Sequence, residues 1–430
     1  MLRRDGISAK KKKHNIKGDD GMNYGKFARK LRSLGEPELT YLKEVFKRGR
    51  MSIFFNENGF VDRFQKAFAK YTGAKHALAR CNGMCALAEA VSVSGAKAGN
   101  EVICDPVVHF GALAALYWNC IPRFADIEAD TYCMDPSSLE ANITENTKAV
   151  VVTHLWGVPA RIDEISKICK RNKLFLIEDC AHAVGTRWKG RHVGTFGKIG
   201  MFSFQEFKQL STGDGAMNTV NDDELAWNME NVWRFSGESP VMMTLNWRMN
   251  EMTAAVGLAQ LEKVDDIIKN TYNKTLHIFN EAIKGCAWIK PRMVPKEAVQ
   301  SGYWFACTWQ GDKYGLDYNR FKKLNEKMEK ARISLRQLRE EIKTEIEKAE
   351  DNKEISEDEK FRAIKELDEC HLLANKVTEK AFRLLGRVLT VKFRRLNNQK
   401  GTNGYLKEEI KEGDTEMESD LYDLDNKLDK

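Results

Sequence analysis

An α/β architecture, with a mostly parallel sheet covered by helices, is the fold class that this 430-residue sequence predicts. Two observations lead there. Short apolar runs alternate with helically spaced apolar residues through the first two-thirds of the chain, so strand, turn and helix recur as a cycle, which is the pattern of crossover connections in a parallel sheet. Leu174-Phe-Leu-Ile-Glu178-Asp179 is a continuous apolar run closing in two carboxylates, which marks a strand buried on both faces. Ligands collect at the carboxyl end of such strands.

Taken in order, Gly35-Glu-Pro-Glu starts the first firm helix, whose apolar face reads as Leu39, Leu42 and Phe46. Val61, Phe64, Phe68 and Tyr71 repeat at helical spacing until Gly73 stops the helix. His76-Ala-Leu-Ala reads as a strand, followed by the turn Asn82-Gly83 and a helix from Cys85 to Val93. The cycle then repeats: Glu101–Cys104 with a helix from Phe110 to Asn119, Arg123–Asp126 with Pro136–Asn142, Ala149–Thr153 with Ala160–Lys170, and Leu174–Ile177 with a turn-rich loop. Asp265–Ile283 is expected to be one long helix, and Tyr303–Trp309 a strand over the core of a smaller domain.

Hydrophobic residues at 42% and charged residues at 30% describe a soluble globular protein with charged helical surface. The ten cysteines lack paired zinc spacing, and Cys104, Cys120, Cys169 and Cys180 sit in apolar contexts, which favours reduced cytoplasmic thiols. No stretch is long and apolar enough to span a membrane, and the basic start has no apolar run behind it, so neither a membrane span nor a signal peptide is expected. The formal net charge of +7 invites a nucleic-acid reading, but its distribution argues against one. Residues 1–20 carry a net charge of +4 and read as a solvated arm, and the last thirty residues, with four lysines and ten acids, read as disordered. No His-x-x-x-His, Walker loop or Rossmann glycine fingerprint is present, so no metal is expected.

Between the strand at Met201 and the turn Ser211-Thr-Gly-Asp-Gly215 stands Lys208. Partial burial there would lower its pKa and expose the free base to a carbonyl, making it a candidate imine-forming amine. A solvated loop lysine is the other reading of the same residues. The order of the surrounding motifs bears on that choice. Cys81-Asn-Gly83-Met84-Cys85, Gly99-Asn-Glu-Val-Ile, Asp130-Thr-Tyr-Cys-Met-Asp135-Pro, Val150-Val-Val-Thr-His154-Leu-Trp-Gly157, Glu178-Asp179, Ser203 to Gly215 and Asn246-Trp-Arg248-Met follow one another over about residues 34–318. In that order they resemble the DegT/DnrJ/EryC1/StrS family of pyridoxal-phosphate-dependent sugar aminotransferases, of fold type I.

The resemblance implies the site residue by residue. Lys208 is the catalytic lysine and Asp179 the acid facing the pyridine nitrogen, while Glu178 is a less certain neighbour with a structural role open to it. His182 stands where the family often carries Gln facing the phenolic oxygen, and as a histidine it can titrate. Phe110 matches the aromatic that stacks on the ring. Gly83, Met84 and Cys85 match the phosphate turn, with Ser203 adding a hydroxyl. Here the chain departs from the usual Gly-Thr-Ser/Thr pattern, because Met84 has no hydroxyl and Cys85 is a weak donor. Asn246 matches a residue reaching the cofactor phosphate of a neighbouring subunit, which implies a homodimer. The activity implied is transfer of an amino group from glutamate or glutamine to a keto sugar, usually nucleotide-linked. A catalytically impaired structural or interaction protein of the same fold is the alternative, because the family's usual C-terminal portion is not recognisable.

Past about residue 321 the chain leaves that pattern. Residues 331–369 resemble part of bacterial ribosome recycling factor, with Arg332, Arg336 and Arg339 at the positions of its RNA-facing arginines. The expected organisation is a basic disordered extension (1–22), a large cofactor-binding domain (23–261), a linking helix with a partial small domain (262–320), a charged helical appendage (321–400) and an acidic disordered tail (401–430).

Overall fold

The structure is a computed structural model that describes residues 34–52, 58–234, 246–287 and 289–314, with isolated positions between 343 and 364. The basic extension, Arg332, Arg336, Arg339 and the acidic tail lie outside the described residues. The chain divides into two compact units, Met1–Phe279 with Arg292–Phe305, and Asn280–Pro291 with Ala306–Lys430.

The first unit is built on a seven-stranded sheet. Its strands are β1 (His76–Arg80), β2 (Glu101–Cys104), β3 (Ile121–Phe124), β4 (Thr147–Thr153), β5 (Phe175–Asp179), β8 (Ile199–Ser203) and β9 (Ala216–Val220), in the spatial order β1-β9-β8-β5-β4-β2-β3. The pairs from β3 through β8 are parallel, whereas β9 runs antiparallel to both β1 and β8. Alternation along each strand sends Val150, Val152, Leu176 and Phe202 into one apolar cluster and Ala149, Val151, Ile177 and Met201 into another. Both faces are therefore covered, which is why these strands read as continuous apolar runs rather than alternating ones. The α/β, mostly parallel architecture is the expected one. Strand β3 ends at Phe124, two residues short of the predicted Asp126, and the helix after β2 spans Phe110–Leu116 rather than reaching Asn119.

One helix turns a different face inward from the one its sequence suggests. In Glu36–Arg48 the buried residues are Glu38 and Val45, while Leu39 and Phe46 are exposed. The reason is polar: the Glu38 carboxylate accepts from the Gly35 N–H (2.9 Å), Gln260 Nε2 (2.6 Å) and Lys263 Nζ (2.6 Å), which pins that edge against the helix Glu251–Leu261 and its end. The neighbouring helix Phe60–Thr72 behaves as its spacing predicts. Phe64 and Phe68 pack on Phe204 with ring centroids 5.4 and 5.5 Å apart, and Phe68 also meets Phe202 edge-on at 5.1 Å. Truncating one of these rings would cost roughly 3–5 kcal/mol, and they anchor the chain as it leaves β8.

Two hairpin strands, β6 (Arg187–Trp188) and β7 (Arg191–His192), join β11 (Ala298–Val299) in a small antiparallel sheet. The close approach of the preceding loop to the main sheet needs glycine. A Cβ on Gly200 in β8 would stand 2.3 Å from the Gly194 Cα and carbonyl oxygen, so no side chain fits there. The expected long helix after the large domain is one continuous run: Val264–Ile267, a π-helical stretch over Ile268–Asn273, and Lys274–Ala282.

In the second unit, β10 (Ile289–Pro291) pairs antiparallel with β12 (Cys307–Trp309). The strand expected over Tyr303–Trp309 is thus confined to its last three residues. Residues 301–306 carry no regular secondary structure.

Candidate active site

The carboxyl ends of β4, β5 and β8 converge, because the register pairs Thr153 with Asp179 and Asp179 with Met201. The consecutive carboxylates Glu178 and Asp179 leave β5 on opposite sides, as alternation requires. Glu178 turns into the protein. Its oxygens accept the N–H groups of Gly194 (2.7 Å), Phe196 (2.7 Å) and Gly197 (2.6 Å), and meet His154 Nε2 at 2.9 Å. His154 Nδ1 accepts the Ala160 N–H, so the ring proton sits on Nε2 and is donated to Glu178. Cys180 lies close enough to make a potential ligand trio with these two, but both Glu178 oxygens are already saturated by donors. Glu178 holds the 194–197 loop.

Asp179 is the carboxylate left for the site. It is buried, its Oδ1 accepts the Ala181 N–H at 3.0 Å, and its carbonyl accepts the His154 N–H. Burial pushes its pKa above the usual carboxylate range, while the Ala181 N–H and the nearby Lys208 act in the opposite direction.

Lys208 stands in the loop between β8 and β9. That loop is held by the Gln205–Gly213 bridge, by the Lys208 N–H to Gln205 O bond (2.9 Å), and by the Tyr272 hydroxyl, which donates to the carbonyls of Phe207 and Lys208 at 3.3 and 3.2 Å. Its ammonium lies 4.9 Å from the centroid of the Tyr303 ring. Burial lowers the Lys208 pKa to about 8, against the pull of the Asp179 carboxylate, which favours the charged amine. Lys208 is half-buried rather than fully solvated, which is the partial burial that the imine-forming reading requires.

His182 completes the group. Its Nδ1 accepts the Trp156 N–H at 3.3 Å and its ring stacks on Tyr303, with centroids 4.5 Å apart and planes 9° from parallel. Burial drives its pKa well down, and the positive charges of Lys208 and Arg292 add to that. These surroundings favour the neutral imidazole, with Nδ1 accepting and Nε2–H as the remaining donor.

The predicted phosphate turn lies between β1 and the helix Gly83–Ser92. Asn82 caps that helix by accepting the Cys85 N–H, and a Cβ on Gly83 would come within 3.1 Å of the Ser203 side chain. Gly83 therefore keeps Ser203 close to the helix terminus. The amides of Gly83 and Met84 open the first turn, where no intrahelical partner exists. The helix is fixed from below by a buried pair: Arg80 Nε and Nη2 each lie 2.7 Å from the Glu89 carboxylate, which also accepts from Asn218 Nδ2 at 2.9 Å.

The structure thus gathers Lys208, Asp179 and His182 in one group and Gly83, Met84, Cys85 and Ser203 in another. Phe110 lies at the first turn of its helix, 38% exposed, and Asn246 is exposed beside Trp247, whose carbonyl accepts the Cys81 N–H. Among the described residues neither shares a hydrogen bond or ring contact with Lys208.

Sequence reasoning missed Tyr303, which it placed on a strand, and also Arg292 and Asp105. Arg292 donates to the carbonyls of Thr131 and Leu155 and lies 5.8 Å from the centroid of the Trp156 ring. Asp105 is fully buried beyond β2, with Oδ2 accepting the Thr153 N–H at 2.6 Å and Oδ1 unpartnered; burial raises its pKa to about 7. For Asp105 the signal was available, since a carboxylate directly follows an apolar strand. For Tyr303 and Arg292 none was.

The sequence profile of the DegT/DnrJ/EryC1/StrS aminotransferase family matches residues 33–353. The chain belongs to that family. The match extends past residue 318, where the motif order ends, to residue 353. Among characterised relatives, the family member described here is 34% identical over 245 residues to GDP-perosamine synthase of Escherichia coli O157:H7, covering 55% of this chain and 66% of that one. It is 35% identical over 250 residues to L-glutamine:scyllo-inosose aminotransferase of Streptomyces griseus, covering 54% and 59%. The chain spans less than two-thirds of the length of these relatives. Of solved structures, 3-amino-5-hydroxybenzoic acid synthase superposes with a TM-score of 0.59 at 28% identity, covering 63% of this chain and 72% of that one. DesI in the presence of its TDP-sugar product superposes with a TM-score of 0.60 at 26% identity, covering 66% and 72%. The aminotransferase fold, of fold type I, is the one expected.

Proposed function

We propose that this aminotransferase-family chain binds pyridoxal phosphate and transfers an amino group from glutamate or glutamine to a keto sugar, in most cases nucleotide-linked. The observation that carries this reading is the half-buried Lys208, set against the Tyr303 ring with its pKa lowered to about 8, near the buried Asp179 at the end of β5. The relatives' names support the substrate class, as they include a GDP-perosamine synthase and a glutamine-dependent inosose aminotransferase.

The residues present fit the cofactor by the chemistry of their donors. Asp179 offers a carboxylate for the ring nitrogen, His182 a neutral Nε2–H for the phenolic oxygen, and Gly83, Met84 and Ser203 two amides and a hydroxyl at a helix N-terminus for the phosphate. Cys85 lends that turn a weak donor. Phe110 would cover the ring face, and Asn246 would serve the site of a neighbouring subunit. Bound pyridoxal phosphate supplies an aldehyde that condenses with amines and a ring that accepts the electron pair released at the substrate carbon. Lys208 would supply the free base at near-neutral pH and would hold and move the proton at the reacting carbon. Asp179 keeps a negative charge beneath the site, which holds the ring nitrogen's proton in place. Tyr303 and His182, stacked face to face, keep water from the Lys208 amine.

A homodimer fits the surface as well as the resemblance. Leu113, Leu116 and Tyr117 on the helix beyond Phe110, and Ile121 and Phe124 on the edge strand β3, are all exposed large apolar residues in one region of the chain. No helix among the described residues is long and apolar enough to cross a membrane. Nine of the cysteines are free thiols in the structure, which supports a reducing, cytoplasmic setting.

A second reading, an interaction protein of this fold with impaired catalysis, draws on Met84 and Cys85 replacing the usual hydroxyls of the phosphate turn. One experiment separates the two. Protein given pyridoxal phosphate should acquire visible absorbance, and borohydride should fix a pyridoxyl group on Lys208. Glutamate or glutamine should then bleach that band, and a keto sugar should restore it. Labelling confined to surface lysines would refute the assignment, and a labelled Lys208 that responds to no amino donor would favour the second reading.

A further inference from the structure

The phosphate turn carries a feature that amino transfer does not use. Cys81 and Cys85 flank it, one closing β1 and the other in the first turn of the following helix, and both are half-buried rather than sealed in the core. Four residues apart across one turn, the two thiols lie near enough that each perturbs the other's ionisation. Asn82 braces both, its Nδ2 donating to Cys81 Sγ at 3.6 Å and its Oδ1 accepting the Cys85 N–H at 2.9 Å. We propose that Cys81 and Cys85 are an oxidation site, converted by a hydroperoxide to an intramolecular disulfide, and that cofactor phosphate in the turn protects them. The protection half rests on the cofactor reading above.

The two thiols are unequal, as such a reaction requires. The neighbouring Cys81 and Asn82 side chains favour the Cys85 thiolate and lower its pKa to about 7, against burial and the Glu89 carboxylate one turn on. The same proximity pushes the Cys81 thiol up. Cys85 also stands in the first turn of its helix, where the helix dipole favours a thiolate, so Cys85 is the attacking sulfur. Its thiolate attacks one peroxide oxygen, the O–O bond breaks, and the hydroxide released leaves as water after taking a proton. The Cys81 sulfur then attacks the sulfenic sulfur of Cys85, the S–S bond forms as the S–O bond breaks, and the second hydroxide leaves as water with the Cys81 proton. Two thiols lose two electrons and two protons, and the hydroperoxide is reduced. The electrostatics link this chemistry to the cofactor. A phosphate dianion on the Gly83 and Met84 amides would stand beside Cys85, disfavouring its thiolate and blocking the peroxide's approach.

The test uses the full chain, reduced and desalted, with and without saturating pyridoxal phosphate, exposed to hydrogen peroxide and quenched with N-ethylmaleimide before peptide mass mapping. In the cofactor-free protein the peptide holding both cysteines should lose about 2 Da, the mass of two hydrogens, and the rate should rise with pH through about 7 as Cys85 ionises. Cys81→Ser should stop at the sulfenic acid on Cys85. Cys307 is the internal control, because it is exposed but burial of its sulfur and the nearby Cys286 raise its thiol pKa. Faster oxidation of Cys307 than of Cys85, or Cys81 and Cys85 remaining fully alkylated, would overturn the site. Saturating cofactor should slow the disulfide at least tenfold. An unchanged rate in a sample whose absorbance and labelled Lys208 show bound cofactor would overturn the protection, whereas failure of the absorbance itself counts against the parent reading and leaves the mass test of the thiol pair standing.

Discussion

The lowered pKa of Lys208 makes a quantitative prediction about a single amine. An ordinary lysine with a pKa of about 10.4 is a free base to only about four parts in ten thousand at pH 7. With its pKa at about 8, Lys208 is uncharged to about one part in ten at the same pH, roughly a two-hundredfold gain. Lys189 serves as the reference, being exposed and paired with Asp163, whose hydrogen bond raises its pKa. The assay is reductive labelling with pyridoxal phosphate and borohydride over a pH series, with peptide mapping of both lysines. Below pH 8 Lys208 is protonated and its labelling should climb about tenfold per pH unit, then level off above it, while labelling of Lys189 should still be climbing at pH 10. Asp179→Asn sharpens the test through its sign. The Asp179 carboxylate raises the Lys208 pKa, so removing its charge should move the inflection to lower pH even as amino transfer is lost. A Lys208 profile that rises without inflection to pH 10, or one that shifts upward in Asp179→Asn, would refute the burial argument.

Three further outcomes follow from the same contacts. Tyr303→Ala opens one side of the Lys208 amine to water, so the labelling inflection should move up from about 8 toward the ordinary lysine value, read by the same pH series. Glu178→Ala deprives the N–H groups of Gly194, Phe196 and Gly197 of their acceptor, and at about 1–3 kcal/mol for each unsatisfied buried group the loss should reach roughly 3 kcal/mol or more in urea unfolding. Glu89→Ala leaves the Arg80 guanidinium buried without its carboxylate, at a cost of roughly 3–5 kcal/mol, and a variant as stable as the parent would show that water reaches that pair.

The comparison of sequence with structure turns on the range over which each signal acts. Strands β4 and β5 were legible because burial on both faces leaves its mark residue by residue, and the site's carboxylate was legible because it stops such a run. The choice between Glu178 and Asp179 for the site came from the motif order alone, because the strand pattern itself does not distinguish them. Consecutive strand residues face opposite sides, and the side that opens is fixed by the 194–197 loop folding onto Glu178, a contact across 16 to 19 residues. The face of the helix Glu36–Arg48 was misread for a related cause. Its buried edge is set by the contact between Glu38 and Gln260, 222 residues apart, which overrides the local apolar pattern.

Tyr303 shows the limit most clearly. In the sequence it is one of four consecutive residues, three of them aromatic and the fourth an alanine, that read as a strand, yet the segment Arg292–Phe305 belongs to the same compact unit as the sheet, on the far side of the linking helix. That return places Ser301 within hydrogen-bonding distance of the His182 carbonyl and of Gln209, and lays Tyr303 over both His182 and Lys208. Part of the burial that lowers the amine's pKa, the property on which the proposed chemistry depends, is thus supplied by a residue 95 positions away. Motif order alone proposes Lys208 as the reactive lysine, but the lowered pKa that would make it reactive can be reasoned only from the packing.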